Sequence, residues 1–435
     1  MTQATATYER YESDFRELEK RLAGNEPAWL TDLRRAAFAR FRALGFPVAR
    51  KGNEPWKYTD VRPIARETFD YGGAAGAGVD PQSLFPFDLG LIRVAFINGR
   101  YSPELSTAPS GVTVMSLTEA VREHEAIVRE HLGRHAPYEE EGFTALNTAF
   151  VTDGAFVLAD GEAKAPLHIV YVTTDADVVT HPRTLVIGRP LSEVSIGETS
   201  VSATDGDHFT TAVTEVVLED GAQVTHRQLL VENRAAFHVG TTRVVQGRDS
   251  NYRSLVCEIG GGLVRHDLNV LMDAEGVTAD LKGLYVTAGT QHIDNNVNID
   301  HAKPHGYSRL YYKGILDEQS QAVFGGMVLV RHGADKTDAH QEDKNLVLSH
   351  EAEVDSKPSL EIYADDVKCG HGATAGAIAE DALFYMQSRG IDPERAMLFL
   401  VRGFASEILD SVTIQPLRLW LDERATQALP RFRDA

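Results

Sequence analysis

The most informative residues for chemistry are a cysteine and a histidine two residues apart. Residues 368–374 read KCGHGAT and follow Ser359 to Tyr363, an apolar segment typical of a strand. If residues 368–374 are extended as well, Cys369 and His371 project from the same face, with Cα atoms about 7 Å apart. That separation is wide for two ligands of one small ion. It suits two donors at the mouth of a larger site whose other ligands come from elsewhere.

The two residue types have a recognisable chemistry. Thiolate and imidazole are ligands of iron in iron–sulfur sites, where imidazole can replace thiolate. The structural alternative is that Cys369 is a buried thiol and His371 a turn residue, as most residues of these types are. The local pattern leaves both interpretations open.

Three other groups of residues could carry chemistry. Cys257 lies inside an apolar run, residues 255–259, which predicts a structural buried thiol. Residues 331–344 are a dense mixed-charge run, which predicts a solvated loop. A third group has enough donors for a divalent metal, but its spacing matches no known ligand signature. Its members are His292, Asp294, Asp300, His301 and His305.

The common catalytic motifs are absent from the sequence. It has no Gly-x-Ser-x-Gly elbow, no His-Glu-x-x-His and no Walker A pattern. The glycine-rich residues 72–78 lack both a preceding strand and a Gly-Lys-Ser/Thr end, so they predict a flexible linker and not a phosphate loop. Paired carboxylates for sugar hydrolysis remain an alternative, because only the fold reveals their separation.

Composition narrows the classes of function. The chain has 435 residues, which suggests two or three domains, and 43 Lys+Arg against 63 Asp+Glu give a net charge of −20. This balance argues against a general nucleic-acid or anionic-membrane binder. Two cysteines exclude a disulfide framework and a self-contained four-thiolate site, and they fit a reducing compartment. Without a signal-like N-terminus or an apolar run of ~18–20 residues, we expect a cytoplasmic protein.

The elements that must position these residues follow the order helical, all-β, helical. From about residue 150, short runs rich in Val, Ile, Leu and Thr are broken by turn residues over roughly 220 residues, which is too long for one ordinary sandwich. A loose echo among residues 218–224, 272–277 and 348–354 is typical of the stacked rungs of a β-helix, and a double sandwich is an equal alternative from the pattern alone.

Helical periodicity returns after Gly372. One predicted helix places an apolar stripe on a single face, with Arg402 beside it. Such a stripe is either core or a docking surface, and core is the default. The stripe comprises Met397, Leu400, Val401, Phe404 and Ile408.

Four sequence blocks resemble the SufD family of the SUF iron–sulfur cluster assembly machinery, which is paralogous to SufB. They are residues 53–59 (NEPWKYT), 145–154 (ALNTAFVTDG), 359–374 and 380–391 (EDALFYMQSRGI). The similarity runs from about Pro27 to about Leu421. The Cys-x-His-Gly-Ala-Thr and Asp-x-Leu-Phe-Tyr-x-x-Gln-x-Arg-Gly motifs are specific together and shared with SufB. The early Glu-Pro-Trp-Lys-Tyr-Thr segment and the modest length favour SufD.

The resemblance implies a mainly β fold, a right-handed parallel β-helix flanked by helical domains. The implied domains are residues 1–149, an N-terminal helical domain with its linker; 150–374, the β-helix; and 375–435, a C-terminal helical domain for ATPase docking. It also implies a non-enzymatic subunit, so that ATP hydrolysis belongs to a partner.

The implied partners are a SufB-like paralogue, which pairs through the C-terminal part of the β-helix, and the ABC ATPase SufC. The implied metal positions are Cys369 and His371, near the paired interface, with Gly370 between them where relatives often have Ser. The implied cofactor is a transient iron–sulfur cluster shared with the partner, with none permanently bound to the isolated chain. The expected ATPase contacts are Met397, Leu400, Arg402 and Phe404.

Three alternatives accompany this interpretation. An exposed strand edge would permit a homodimer of the isolated chain. A SufB-like scaffold that carries a cluster alone would normally bring more cysteines than two. A carbohydrate-active β-helix enzyme would carry a surface row of carboxylates and aromatic residues.

Overall fold

The computed structural model of the protein describes residues 3–71, 80, 84, 91–107, 112–163 and 165–432. The predicted linker at residues 72–78 lies outside the described residues. Within them the fold is mainly β, with helices before and after the strands.

Helices dominate the N-terminal part. They are α1 (Gln3–Leu22), α2 (Ala28–Leu44), a 3-10 turn (Glu54–Trp56), α3 (Arg62–Arg66), α4 (Leu117–Glu123), α5 (Glu125–His131) and α6 (Gly142–Phe150). Four strands lie among them: β1 (Asp70–Tyr71), β2 (Ile92–Ile97), β3 (Arg100–Tyr101) and β4 (Thr113–Ser116).

Seventeen strands follow in close succession in the described chain. They are β5 (Gly154–Ala159), β6 (Leu167–Thr173), β7 (Val178–Thr180), β8 (Arg183–Gly188), β9 (Glu193–Ser202), β10 (His208–Leu218), β11 (Gln223–Val231), β12 (Phe237–Gln246), β13 (Asn251–Glu258), β14 (Leu263–Met272), β15 (Thr278–Thr287), β16 (His292–His301), β17 (Tyr307–Leu316), β18 (Gln321–Val330), β19 (Asp338–Val347), β20 (Glu353–Ile362) and β21 (Lys368–Gly376). The C-terminal helices are α7 (Glu380–Ser388), α8 (Pro393–Leu409), α9 (Gln415–Gln427) and a 3-10 turn (Pro430–Phe432).

The long strands stack as rungs of a parallel β-solenoid. One sheet runs β20-β18-β16-β14-β12-β10-β8-β5-β4 and the other β21-β19-β17-β15-β13-β11-β9-β6-β2-β3. Successive strands alternate between the sheets, and each long strand pairs in parallel with the strand two positions later. The expected β-helix flanked by helices is therefore confirmed, and the double sandwich is excluded.

Alternation along each strand separates the solenoid interior from its two outer faces. The apolar interior extends from Val94 and Ile169 to Val330 and Ala339. Aromatic residues of α1, α2 and α6 pack against the outer face of the first sheet. The outer face of the second sheet packs against α8 and α9, burying Val401 and Ile408. Each sheet thus carries one set of helices.

One expectation about the strands was wrong. Residues 331–344 were expected to form a solvated loop, but only 331–337 form a turn, and β19 begins at Asp338. Gln341, Asp343 and Asn345 alternate inward along this strand and are buried. The solenoid interior is polar here, so β19 lacks the apolar alternation by which strands are recognised in a sequence.

Candidate functional site

At the C-terminal end of the solenoid, both sheets of the described chain end in a strand whose outer edge is not paired. The final strands are β20, which pairs with β18, and β21, which pairs with β19. Among the described residues, no further strand continues either sheet. No residue of β20 or β21 is fully buried. This end of the solenoid is therefore open.

Cys369 and His371 lie on the inward-facing side of β21, at this open end. They are in register with Ala339 and Gln341 of β19, whose side chains face the interior. Cys369 is half-buried and packs against the apolar core, and His371 is exposed. The structure therefore brings the two donors to one face of one strand, as their spacing predicts.

The surroundings of Cys369 favour the protonated thiol. Burial raises the pKa of Cys369 above its ordinary value, and the nearby Asp338 carboxylate adds to the shift. Only the thiolate is a good metal ligand, so coordination at Cys369 requires loss of this proton. Without a bound metal, Cys369 is thus a protonated thiol.

A buried polar group lies one rung below the pair. Asp343 accepts hydrogen bonds of 2.7 Å from Asn345 Nδ2 and from Ser356 Oγ, and Tyr285 donates to Asn345 Oδ1 at 2.5 Å. Burial raises the pKa of Asp343 to about 6. In register above Asp343, β21 places only the small Ala373. The sequence did not reveal the buried Asp343, because this residue falls in the mixed-charge run.

The donors between residues 292 and 305 form no metal centre. Within the described chain, no group of three or more His, Cys, Asp or Glu side chains is placed to hold a metal ion. Asp294 pairs with Arg265, Asp300 pairs with Arg331 at 2.5 Å, and His301 contacts Ser308 at 2.9 Å. These side chains serve the packing of successive rungs.

Two carboxylates on the outer face of the first sheet also form ion pairs. Asp267 contacts Arg265 at 2.7 Å, and Asp294 pairs with the same guanidinium. The Arg265 guanidinium lies 4.1 Å from the Trp56 ring, which belongs to the NEPWKYT segment. Asp267 and Asp294 are therefore ion-paired through Arg265, which also contacts the N-terminal segment, and they are not a pair of free carboxylates.

Cys257 is a structural thiol, as expected. It is fully buried in β13, on the face that packs against the C-terminal helices. Burial raises the pKa of Cys257 far above its ordinary value, with a smaller contribution from Glu258. Such a thiol is neither nucleophilic nor available to a metal.

The four expected ATPase-contact residues lie on α8 in different environments. Met397 and Phe404 pack partly against the core, and Leu400 is half-buried. Arg402 is exposed and contacts Asp422 of α9 at 2.5 Å. The Phe404 ring lies 4.0 Å from the Lys313 ammonium, so it also fastens α8 to β17.

Other apolar side chains on these helices are more exposed than the expected ones. Phe384 is 73% and Tyr385 60% exposed on α7, and Phe399 is 52% exposed on α8 and Leu419 55% on α9. α7 buries none of its residues and follows directly after β21. The sequence signal for this exposed surface is the pair of adjacent aromatic residues Phe384 and Tyr385, which lie outside the main apolar stripe.

A cleft of about 260 Å³ lies between α8 and α9. Arg402 and Asp422 line one part of it, and Asp410 and Arg418 form an ion pair of 3.2 Å in another.

None of the helices in the described part of the chain has the length and apolar character needed to cross a bilayer.

Comparison with known proteins identifies the family. Residues 171–404 match the SufBD core domain of the SUF system for FeS cluster assembly, and residues 5–166 match the SufBD protein N-terminal region. The chain is 34% identical to an iron–sulfur cluster assembly SufBD family protein of Synechocystis, over 91% of this chain and 90% of the relative. It is 30% identical to the iron–sulfur cluster assembly protein SufD of Escherichia coli, over 89% and 90%. A SufD of Bacillus subtilis is 25% identical over 90% and 92%. With its solenoid, its flanking helices and both sequence domains, the chain belongs to the SufBD family of the SUF iron–sulfur cluster assembly system.

Proposed function

We propose that this protein is a SufD-type, non-catalytic subunit of a SUF scaffold complex that pairs with a SufB-like paralogue through β20 and β21. The observation that carries the proposal is the open end, where two edge strands present unpaired backbone groups beside Cys369 and His371. Such edges are templates for pairing with another chain.

The side chains at this end suit close approach by a partner. Gly372, Ala373 and Ala375 are small and exposed on β21, so a second backbone can come near. Val354 and Leu360 of β20 are only partly buried where they meet the core. A partner that continues the solenoid would remove their remaining apolar surface from water.

Cys369 and His371 contribute two ligands to a nascent iron–sulfur cluster, which is the cargo of the complex. Cluster irons are held by about four protein ligands. The partner therefore supplies the remaining ligands, and the cluster bridges the interface. A neutral His ligand makes such a cluster more labile than four thiolates would, which suits transfer to a client protein.

The C-terminal helices dock a SufC-like ABC ATPase. Phe399, Leu419 and the cleft between α8 and α9 offer an exposed surface with apolar and charged groups. Lys313 of β17 is buried and contacts Glu407 of α8 at 2.6 Å, so movement of α8 reaches the second sheet. ATP-driven closure of two ATPase subunits would then twist these helices and open the paired interface.

Anaerobic purification of the tagged chain from its own cells tests the assembly role. We expect an ABC ATPase and a SufB-like protein to copurify, with visible absorbance from a bound cluster. A lone, colourless chain that brings no ATPase would contradict the proposal, and a stable homodimer without other partners would replace the expected pairing.

The ligand role of His371 needs a separate test. His371→Ala in the complete complex should abolish or strongly slow cluster formation while leaving complex assembly unchanged. The matched control is His350→Ala, which changes an exposed histidine in the turn before β20. Normal cluster formation with His371→Ala would remove the histidine from the ligand set.

A further inference from the structure

Gln341 is the one residue whose side chain makes a hydrogen bond to His371 in the described structure. Its Nε2 lies 3.4 Å from His371 Nδ1 and 3.1 Å from the Ser359 carbonyl oxygen. Gln341 is 3% exposed, and its Oε1 is buried without a hydrogen-bond partner. The Gln341 amide therefore links β19 to β20 and β21 at the open end, and its Oε1 is an acceptor that is not yet used.

The direction of this hydrogen bond determines where the histidine proton lies. A side-chain NH2 group only donates, so His371 Nδ1 must accept with its lone pair. In the neutral imidazole the proton is then on Nε2. In this tautomer one nitrogen is engaged by Gln341 and the other is protonated, so neither is ready to bind a metal.

Metal-bound histidines have the opposite arrangement at the second nitrogen. They donate that N–H to a carbonyl, a carboxylate or water, which fixes the tautomer and ring orientation. Gln341 Oε1 is an acceptor of this kind. Turning the amide would replace the Nε2–Nδ1 contact with a bond from Nδ1–H to Oε1, at the cost of the Ser359 bond. The proton count at His371 is unchanged, because Nε2 loses the proton that Nδ1 gains.

We propose that Gln341 is the positioning residue that sets the tautomer of His371, holding it unavailable for coordination at rest and supporting Nε2 coordination once its amide turns. This inference rests on the proposed function for its meaning. Its physical content, the position of one proton, is a property of the isolated chain.

The location of Gln341 suits this role. Its Oε1 lies against Gly326 of β18, where a Cβ atom would come within 2.8 Å of the oxygen. The uncharged Gln341 amide is held by its two hydrogen bonds, to the Ser359 carbonyl and to His371, which a rotation can exchange.

Nitrogen NMR of histidine-labelled protein tests the proposal directly. The His371 signals are assigned by their loss in His371→Gln. In the wild-type chain at alkaline pH we expect the proton on Nε2 and an Nδ1 shift that reports an accepted hydrogen bond. Gln341→Glu, which offers only acceptors, should place a proton on Nδ1. Gln341→Met, which offers neither group, should remove the hydrogen-bond shift at Nδ1.

Gln321→Met is the matched control. Gln321 presents its Oε1, not its nitrogen, 3.4 Å from His292 Nδ1 on the neighbouring sheet. This variant should leave the His371 signals unchanged. A protonated Nδ1 in the wild-type chain, or identical His371 signals in the wild type, Gln341→Glu and Gln341→Met, would overturn the proposal.

The outcomes separate this inference from the proposed function. If His371→Ala still builds clusters but the tautomer follows residue 341 as expected, the ligand role fails and the positioning role of Gln341 stands. If His371→Ala abolishes clusters but the tautomer ignores residue 341, the function stands and this inference fails.

Discussion

At its N-terminal end the solenoid is closed by antiparallel strands and helices, whereas at its C-terminal end two strands stop with an open edge. β3 and β4 pair antiparallel to β2 and β5, and α4 and α5 pack over the first rungs. Five of the six residues of β5 are buried, while β21 buries none. The closed end therefore buries its strands in the core, whereas the open end leaves its strand edges exposed.

Charged groups follow the same division. At the closed end, Arg183 and Glu215 are fully buried and 2.5 Å apart, and Glu215 also accepts bonds from the backbone N–H groups of Gly133, His135 and Ala136. Burial alone would raise the pKa of Glu215, but Arg183 and the N–H groups of Gly133 and Ala136 lower it. At the open end, Cys369 and His371 have no comparable partners.

The largest expected effect comes from breaking the closed end. Glu215→Ala should destabilise the fold by about 3–5 kcal/mol, because it leaves the buried Arg183 charge without a counter-ion and three backbone N–H groups without an acceptor. Chemical denaturation measures this change. Glu219→Ala is the control, since its ion pair with Arg189 is partly exposed and should contribute less than about 1 kcal/mol.

A similar stability for Glu215→Ala and Glu219→Ala would mean that the closed end is not held by its buried charge pair.

Acid should also destabilise the closed end. The stabilisation from Glu215 is present above its ordinary pKa of 4.5 and is lost as the pH falls through its lower folded value.

The next effect concerns binding at the open end and should leave the chain folded. Ala373→Asp with Ala375→Asp places two charges on an exposed strand that pairing would bury. We expect at least about 100-fold weaker binding to the SufB-like partner, because desolvating unpaired charges costs several kcal/mol. Size-exclusion titration measures the binding.

Ala39→Asp, on the exposed side of α2, is the matched control for this pair. Its binding and melting temperature should equal those of the wild type. If the double variant bound normally, pairing would use another surface. If it unfolded, the open end would belong to the core and the contrast between the ends would disappear.

The smallest effect per pH unit is expected in the interior between the two ends. Glu258 is buried, and its carboxylate accepts a 2.6 Å bond from Asn295; burial raises its pKa to about 8, with Asp294 adding to the shift. The folded state therefore keeps a proton that the unfolded chain releases above about pH 4.5. Stability from this group falls by about 1.4 kcal/mol per pH unit between about pH 5 and 8.

Glu258→Gln should remove that slope. Denaturation of both proteins at several pH values gives the comparison, with Glu193→Gln as an exposed control. Parallel pH profiles for the wild type and Glu258→Gln would show that Glu258 is ionised in the fold.

The sequence predicted those features of the fold in which a single periodic pattern determines the position of each residue. Turn residues every ten positions and apolar alternation predicted the rungs, and the spacing of Cys369 and His371 predicted their common face. The polar interior was missed, because Gln341, Asp343 and Asn345 look like surface residues when strands are recognised by apolar alternation. Their partners lie on other rungs, Asp343 being bonded by Ser356 of β20, and sequence spacing does not encode such contacts.

The exposed surface of the C-terminal helices was only partly predictable. The stripe from Met397 to Ile408 was recognised as apolar, but which members face the solenoid depends on how α8 is oriented. Lys313 fixes part of this orientation, because its ammonium donates a hydrogen bond of 2.9 Å to the Phe404 carbonyl oxygen. A lysine in a strand gives no sign in the sequence that a helix 91 residues later covers it.

The order of the rungs also has a consequence for biosynthesis. Because each rung contacts mainly its neighbours, the solenoid can grow by one rung at a time as the chain leaves the ribosome. The closed end is made first and gives each later strand a template, and β20 and β21 are the last rungs to be added. The exposed strand edges therefore appear only after the rest of the solenoid has been synthesised.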